Sequence, residues 1–363
     1  MDPRRTRLSA AAASLMLLRV LSGLACAVGA AARLAASPTG RILEQVPLHQ
    51  GNNWAIVDVP SGMEHLLPRS PAAVGGTGSD LWSASTASAH TLARVSSAGA
   101  VDFFDSETLH FLGGFSIKEL PNTDTPRIVS SNVYLSPDGK YVAAYWIPKY
   151  RQRTPEVVVF DRQGHIVQDG SPLDYDATAY QNALTWLPVG DAYLHVAGDR
   201  LVLRRIGDDK YVNVPFPLPP NAMQGGPTIA ASPDGHRLAL SLPVALPTGS
   251  GRTNTYWLMF VVGLNGTGMH QLTKPSALVL DHGWEAYHVS PSWSADGRTV
   301  FAVVGHSQAF GAPNYQNPCS NVLALPADGG VQLVDGERDP PALTVQTASG
   351  TLRACRHAQW ILP

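Results

Sequence analysis

The sequence predicts an all-β fold made of repeated four-stranded sheets, and three observations carry this prediction. A tight-turn tetrad occurs three times, at 136–139, 232–235 and 294–297, each time between an apolar run and an alternating apolar run. An Asp-Gly turn between such runs is the signature of a β-hairpin. The tetrads recur at intervals typical of a structural repeat. No stretch beyond residue 45 has sustained helical periodicity.

The composition supports the same fold class. The 363 residues include 33 Gly and 29 Pro, while only 15% are charged, as expected for short strands joined by many turns. An apolar content of 44% is sufficient for a globular core. The net charge of -2 gives no indication of a nucleic-acid partner or an acidic lipid surface. We therefore expect no nucleic-acid binding.

The clearest repeat lies at 132–170. Its four predicted strands cover 133–135, 140–147, 156–161 and 165–168, with tight turns after the first and third strands. Four antiparallel strands of this length form one blade of a β-propeller. The repeat therefore predicts a propeller.

The same order of strands and turns recurs along the chain. Two further repeats occupy 228–274 and 289–334, and two degenerate copies begin near 81 and 185. Together with the first repeat they give five blades. Asp138, Asp234 and Asp296 of the tetrads are interpreted as turn-forming residues rather than metal ligands. Trp82, Trp186 and Trp293, placed at equivalent positions of the repeat, are interpreted as core residues.

The two ends of the chain predict a sixth blade. Segments 54–59 and 65–67 have the pattern of its outer half, and 343–347 and 352–360 that of its inner half. Pairing both termini in one sheet closes the ring and hides the sheet edges. The predicted fold is one six-bladed β-propeller over 42–363, with seven blades as the alternative.

The amino terminus has the pattern of a targeting segment over residues 1–36. Basic residues precede an apolar run at 8–32 that ends in small residues. Arg19 interrupts this run, which favours a true start at Met16 or tolerance of one Arg over a membrane span. A lipoprotein modified at Cys26 is the alternative. We expect a periplasmic or secreted protein, which meets the membrane only through this segment if it is retained or lipidated.

The cysteine count is compatible with export. Removal or lipidation of Cys26 leaves Cys319 and Cys355. An even remainder in an oxidising compartment predicts one disulfide between them, which would join the last repeat to the C-terminal tail. Two unrelated thiols are the alternative.

Two adjacent motifs carry a resemblance to a known family. The segment at 264–273 ends a strand with N-G-x-x-x-x-x-L-T, and 291–298 follows with P-x-W-S-x-D-G-x. This pair resembles the TolB-type propeller repeat, a WD-like repeat of bacterial propellers. The resemblance covers about 130–305 and implies binding or scaffolding in the bacterial envelope. TolB has an additional N-terminal α/β domain. The sequence between the targeting segment and the first predicted blade is too short for such a domain, so a role identical to that of TolB is not expected.

Loop lengths predict a binding surface on one rim of the ring. The first and third turns of each blade are tight, whereas second loops such as 148–155, 245–254 and 306–320 and the inter-blade loops are long. Long loops on a rigid scaffold commonly host function, and aromatic and Arg residues are enriched at binding hot spots. The predicted binding residues are Tyr150, Arg151, Arg153, Tyr175, Arg252, Trp284, Tyr287 and Tyr315. We expect a protein or peptide partner in the cell envelope.

No local catalytic or metal-binding motif is present in the sequence. It has no G-x-S-x-G elbow, no H-E-x-x-H and no Cys-His cluster at zinc spacing. His282 and His288 bracket Glu285 in one loop, and we interpret them as hydrogen-bonded loop residues. The sequence thus favours a binding module without catalytic residues, metal or cofactor. A propeller enzyme of lactonase or cyclase type, with its site at the central channel, is the alternative.

Overall fold

A computed structural model describes residues 40–48, 51–59, 61–68, 81–84, 90–96, 100–116, 127–148, 156–172, 184–197, 200–215, 217–223, 228–282, 285–307, 322–334, 346–347, 350–351 and 358–361. All of them belong to one compact unit, Gly40–Pro363. The targeting segment predicted at 1–36 lies outside the described residues.

The unit is a six-bladed β-propeller, as predicted. Four blades follow the chain in order: β4–β7 form blade 2, β8–β11 blade 3, β12–β15 blade 4, and β16–β19 blade 5. The bounds are β4 Leu81–Ala84, β5 Thr91–Val95, β6 Ala100–Asp105, β7 Phe111–Ser116, β8 Arg127–Leu135, β9 Tyr141–Pro148, β10 Glu156–Asp161, β11 Ile166–Pro172, β12 Leu184–Trp186, β13 Ala192–Ala197, β14 Arg200–Arg205, β15 Tyr211–Val214, β16 Thr228–Ala231, β17 Arg237–Pro247, β18 Thr253–Gly263 and β19 His270–Gln271.

Blade 6 is joined to blade 5. After β20 (Thr273–Pro275) and the short helix α1 (Ala277–His282), its strands are β21 (Glu285–Trp293), β22 (Thr299–Ser307) and β23 (Val322–Pro326), followed by β24 (Gln332–Val334). Strand β20 pairs in parallel with β24. A parallel bridge between Trp257 and Tyr287 also connects β18 to β21. Blades 5 and 6 therefore share pairing at two places.

Blade 1 closes the ring with strands from both ends of the chain. Its order is β27 (Ala358–Ile361), β1 (Gly40–Leu48), β2 (Gly51–Val59) and β3 (Glu64–Leu66). The predicted closure is thus confirmed, but the N-terminus supplies three strands and the C-terminus one, instead of two each. Of the strand predicted at 343–347, the structure describes β25 (Gln346–Thr347), which pairs with β26 (Gly350–Thr351) and not with the strands of blade 1.

Buried apolar side chains from the faces of neighbouring blades form the core. The largest cluster combines residues of blades 3, 4 and 5, including Val157, Tyr193 and Leu240. In a second cluster, Phe301 of blade 6 stacks on Trp360 of blade 1, with ring centroids 4.4 Å apart. Sheet-on-sheet burial of this kind makes each blade depend on its two neighbours for stability.

Hydrogen bonds between neighbouring innermost strands join all six blades. At four seams a side chain of one blade accepts a bond from a main-chain N–H of the next. Gln359 accepts from Ala84, Ser83 from Leu135, Thr185 from Ala231, and Ser292 from Trp360, over 3.0–3.3 Å. Because the inner edge of a blade has no further strand to pair with, these bonds satisfy groups that an open edge would leave exposed.

At the other two seams the donor again comes from the following blade, but it is a side chain and the acceptor is a main-chain carbonyl. Tyr134 and Ala230 stand where the accepting side chains stand in the other blades, and the Ala230 side chain has no polar atom. There the indole Nε1 of Trp186 donates to the Tyr134 carbonyl over 2.9 Å, and Trp293 donates to the Ala230 carbonyl over 3.0 Å. Each blade is thereby fixed to the next around the whole ring.

Candidate functional site

The blades divide the surface into two rims. We call the rim with the first and third turns of each blade the turn rim, and the rim with the second loops and inter-blade segments the loop rim. The tetrads at 136–139, 232–235 and 294–297 lie on the turn rim. The loop rim was expected to carry the binding residues, and its described part is built mainly from blade 5.

Blade 5 extends a two-stranded hairpin beyond its sheet at the loop rim. Strands β17 and β18 pair without interruption from Arg237 opposite Gly263 to Pro247 opposite Thr253. The Thr248 N–H donates to the Arg252 carbonyl over 2.7 Å, which closes the turn. Half of the segment predicted as a long loop at 245–254 is therefore strand, and only its tip, 248–252, is a turn. We call residues 243–257 the blade 5 hairpin.

The blade 5 hairpin is supported on both sides. On one side the Met223 N–H donates to the Pro243 carbonyl, and the Ala245 N–H donates to the Asn221 carbonyl, both over 2.9 Å. On the other side the Gly249 N–H donates to the Leu280 carbonyl of α1 over 3.1 Å. Hydrogen bonds from two flanking segments hold this projection in place, so its exposed groups form a preorganised surface.

Blades 3 and 6 extend at the same rim. Strands β8 and β9 pair as far as Arg127 opposite Pro148, and β21 and β22 pair as far as Glu285 opposite Ser307. The sequence predicts the corresponding strands to begin at 133 and 292. Blades 3 and 6 thus extend a pair of strands at the loop rim, whereas in blade 4 only residues 198–199 separate the second strand from the third.

The structure locates two of the predicted binding residues. Arg252 is exposed at the tip of the blade 5 hairpin. Tyr287 lies in β21, where its backbone pairs with Trp257 of blade 5 and with Gly305. The predicted residues Tyr150, Arg151, Arg153, Tyr175, Trp284 and Tyr315, and the predicted disulfide pair Cys319 and Cys355, lie outside the described residues.

Sequence reasoning missed the segment at 221–223 and Asp281 as parts of this surface. Asp281 is exposed and adjoins the hairpin tip, because a Cβ placed on Gly249 would lie 2.8 Å from its carboxylate. Arg252 and Asp281 give the surface one charge of each sign. Asp281 and the segment at 221–223 have no recognisable sequence signal, since they adjoin the hairpin only after its strands extend past Pro243.

The tetrad aspartates on the turn rim serve the turns, as predicted. The Ser294 hydroxyl donates to Asp296 over 2.6 Å, and the same carboxylate accepts from the Arg298 N–H over 3.0 Å. The serine bond is the largest cause that lowers the pKa of Asp296, and Ser232 does the same for the pKa of Asp234. Among the residues that the structure describes, no group of three or more His, Cys, Asp or Glu side chains is placed to hold a metal ion.

The buried polar groups include one histidine. His195 of β13 is 1% exposed, and its Nδ1 has no hydrogen-bond partner among the described residues. Burial, with a smaller contribution from the nearby charge of Arg204, lowers the pKa of His195 to about 3. The imidazole is therefore neutral at physiological pH and belongs to the packing of blade 4.

Within the described part of the chain, no helix has both the length and the apolar character needed to cross a membrane.

Comparisons with known proteins give a likeness of fold. No protein-family model and no curated protein matches the chain. A solved structure of putative TolB from Agrobacterium tumefaciens matches with 14% identity and a TM-score of 0.46, over 90% of this chain and 100% of that one. The Cps50 (Swd1) β-propeller domain from Myceliophteria thermophila matches with 12% identity and a TM-score of 0.38, over 79% and 85%.

Proposed function

We propose that this chain is an exported β-propeller of the bacterial envelope that binds a protein or peptide partner through its loop rim. The observation that carries the proposal is the buttressed blade 5 hairpin, which projects Arg252 from the same rim at which blades 3 and 6 also extend. A projection held by hydrogen bonds on both sides loses little conformational entropy when a partner binds it.

The chemistry of the rim fits a protein or peptide. The exposed Arg252 and Asp281 offer charges of opposite sign at the hairpin tip. The sequence adds aromatic and Arg residues in the long loops predicted for this rim, including Arg151, Arg153 and Tyr315. Arginine and aromatic side chains contribute strongly to protein interfaces, because they combine a large contact area with directed hydrogen bonding.

The turn rim serves as the internal control surface for this proposal. Its aspartates are occupied by their own turns, as at Asp234 and Asp296. Arg298 is exposed there. A charge reversal at Arg298 therefore matches one at Arg252 in chemistry and exposure, and differs in the rim that it alters.

Capture experiments with paired variants test the proposal. Purified wild-type protein, Arg252→Glu and Arg298→Glu are immobilised, and each is exposed to envelope extract. A partner that binds the loop rim is retained by wild type and Arg298→Glu and is lost or strongly reduced on Arg252→Glu. Replacing Arg151, Arg153, Trp284 and Tyr315 together should abolish capture without altering thermal stability. Equal capture by all variants contradicts the proposal, and a mass spectrum of the mature N-terminus tests the export.

A further inference from the structure

A short proline-rich strap lies in the connection from blade 4 to blade 5. We call Pro217-Leu218-Pro219-Pro220 the proline strap. It lies between β15 of blade 4 and the segment that pairs with the blade 5 hairpin. Three of its four residues are prolines, and proline rings restrict the backbone dihedral angles.

Steric rules make the strap extended. Each proline ring fixes φ near −65°. Leu218 and Pro219 each precede a proline, which excludes the helical region for both. Three of the four residues have no N–H, so the strap cannot join a β-ladder as an ordinary strand. These constraints together favour the polyproline II conformation, in which the backbone is solvated and free for recognition.

The strap is held at both ends. Pro215 packs against the turn at Gly266, where an added Cβ would lie 2.7 Å from the Pro215 Cβ. At the other end Asn221, with φ of 66°, reverses the chain, and the Ala222 N–H donates to the Pro219 carbonyl over 3.1 Å. Ala222 also forms a bridge with Val244 in the blade 5 hairpin. Both anchors limit the freedom of the strap before any partner arrives.

Exposure along the strap follows the period of a polyproline II helix. With three residues per turn, Pro217 and Pro220 lie on one edge, Leu218 on the second and Pro219 on the third. The structure has Pro217, Leu218 and Pro220 exposed and Pro219 half-buried. One edge therefore faces the propeller, and the other two face solvent.

We propose that the proline strap is a preformed polyproline II ligand for a partner protein domain with an aromatic-lined groove. Grooves of this type contact two edges of a polyproline II helix. The strap exposes two edges, one formed by Pro217 and Pro220 and the other by Leu218. It has no charged side chain, and the neighbouring Val212 and Met223 are 59% and 42% exposed, which gives the partner further apolar surface. The anchored ends remove most of the ordering entropy that a free peptide loses on binding.

This inference rests on the proposed function only in requiring a protein partner, and it assigns a contact surface apart from the hairpin tip.

The probe is an array of purified bacterial SH3-type domains with aromatic grooves, exposed to the intact purified propeller. We expect saturable binding to at least one domain. Pro217→Ala combined with Pro220→Ala should weaken it by about tenfold or more, since both residues of the outer edge are lost.

Two further variants keep the test independent of folding. Leu218→Asp places a charge on the second exposed edge and leaves all three prolines, and it should also weaken binding. Pro326→Ala removes an exposed proline at the end of β23 and should leave binding unchanged. Absence of binding to every domain, or binding that survives both strap variants, overturns the proposal.

Envelope-extract capture with the same proteins separates this proposal from the preceding one. Loss of the partner with Arg252→Glu but not with the strap variants upholds the loop rim and overturns the strap. Loss with the strap variants but not with Arg252→Glu upholds the strap and overturns the loop rim. Loss in both sets upholds both surfaces.

Discussion

The seam between blades 4 and 5 gives a sharp test of how the ring is held together. The Thr185 hydroxyl accepts a hydrogen bond from the Ala231 N–H over 3.0 Å and donates to the Trp186 carbonyl at 3.4 Å. Thr185→Val keeps the shape of the side chain and removes the acceptor. The Ala231 N–H then faces a methyl group, because Val has no polar atom to offer.

The expected loss follows from the environment of the pair. Leaving a buried N–H without a partner costs about 1–3 kcal/mol. Thr185 and Ala231 are half-buried, so water replaces part of the lost bond, and we expect a loss at the lower end of that range, about 1–1.5 kcal/mol. For a folded unit of this size such a change lowers the melting temperature by roughly 2 °C.

Chemical denaturation of wild type, Thr185→Val and Thr185→Ser measures the effect. Serine keeps the hydroxyl and loses only the methyl group, so Thr185→Ser should retain most of the stability that Thr185→Val loses. If the two variants have the same unfolding free energy within about 0.3 kcal/mol, the seam bond does not stabilise the ring and the reasoning is refuted.

Three further predictions concern single positions. Gly190→Ala should destabilise the protein by about 2 kcal/mol and Gly207→Ala by about 1 kcal/mol, measured by denaturation. Both glycines have positive φ, but only at Gly190 would the new Cβ meet another residue, 2.8 Å from the Asp138 carboxylate. Val189, 74% exposed, stands where the other tetrads have Asp, so Val189→Asn should stabilise its turn by about 0.5 kcal/mol by accepting from the Asp191 N–H; equal or lower stability would contradict this. The pKa of His195 is lowered to about 3 in the folded protein, whereas an unfolded chain has the ordinary histidine pKa near 6.5. Between these two pH values the unfolded chain binds a proton at His195 and the folded protein does not. Stability is therefore lost as pH falls from about 6.5 towards 3, by roughly 3 kcal/mol at pH 4, and His195→Leu should flatten this part of the profile; an unchanged profile would show that another group is responsible.

The architecture could be predicted because each of its tight turns has a short local sequence signal. An Asp-Gly tetrad defines a hairpin within about six residues, and its recurrence identifies the blades. Strand ends were harder to predict, because a proline normally terminates a strand, yet β17 continues through Pro243 and ends only at Pro247. Proline is tolerated at 243 because the N and C=O of one strand residue face the same side, and the Pro243 carbonyl faces Met223 rather than β18.

The closing blade was predicted in kind but not in detail. Strand β1, Gly40–Leu48, includes Glu44, Gln45 and Pro47 and lacks clear alternation. Its pairing with β27 depends on two segments more than 300 residues apart, Arg41 opposite Ile361 and Ile42 opposite Trp360. No local pattern records such a register. The candidate surface was less predictable for the same reason, since the contact of Gly249 with α1 exists only in the folded ring.

The seams explain why tryptophan was a misleading marker of the repeat. The sequence predicts equivalent repeat positions for Trp82, Trp186 and Trp293. The hydrogen bonds place Ser83 and Ala84 of blade 2 where Thr185 and Trp186 stand in blade 4, so Trp82 lies two residues earlier than the other indoles. Trp82 instead packs within its own blade, with its ring centroid 5.1 Å from that of Phe104.

What the repeat preserves is a hydrogen bond between neighbouring inner strands, and the residue that supplies it varies. Where the preceding blade offers Ser, Thr or Gln, the bond runs from the main-chain N–H of the next blade to that side chain. Where it offers Ala230, the indole of Trp293 supplies the donor instead. Because an unpaired inner edge is costly in every blade, both arrangements meet the same requirement although they share no residue. At the seam between blades 5 and 6, the Trp293 indole therefore takes the place of the side-chain acceptor that Ala230 does not provide.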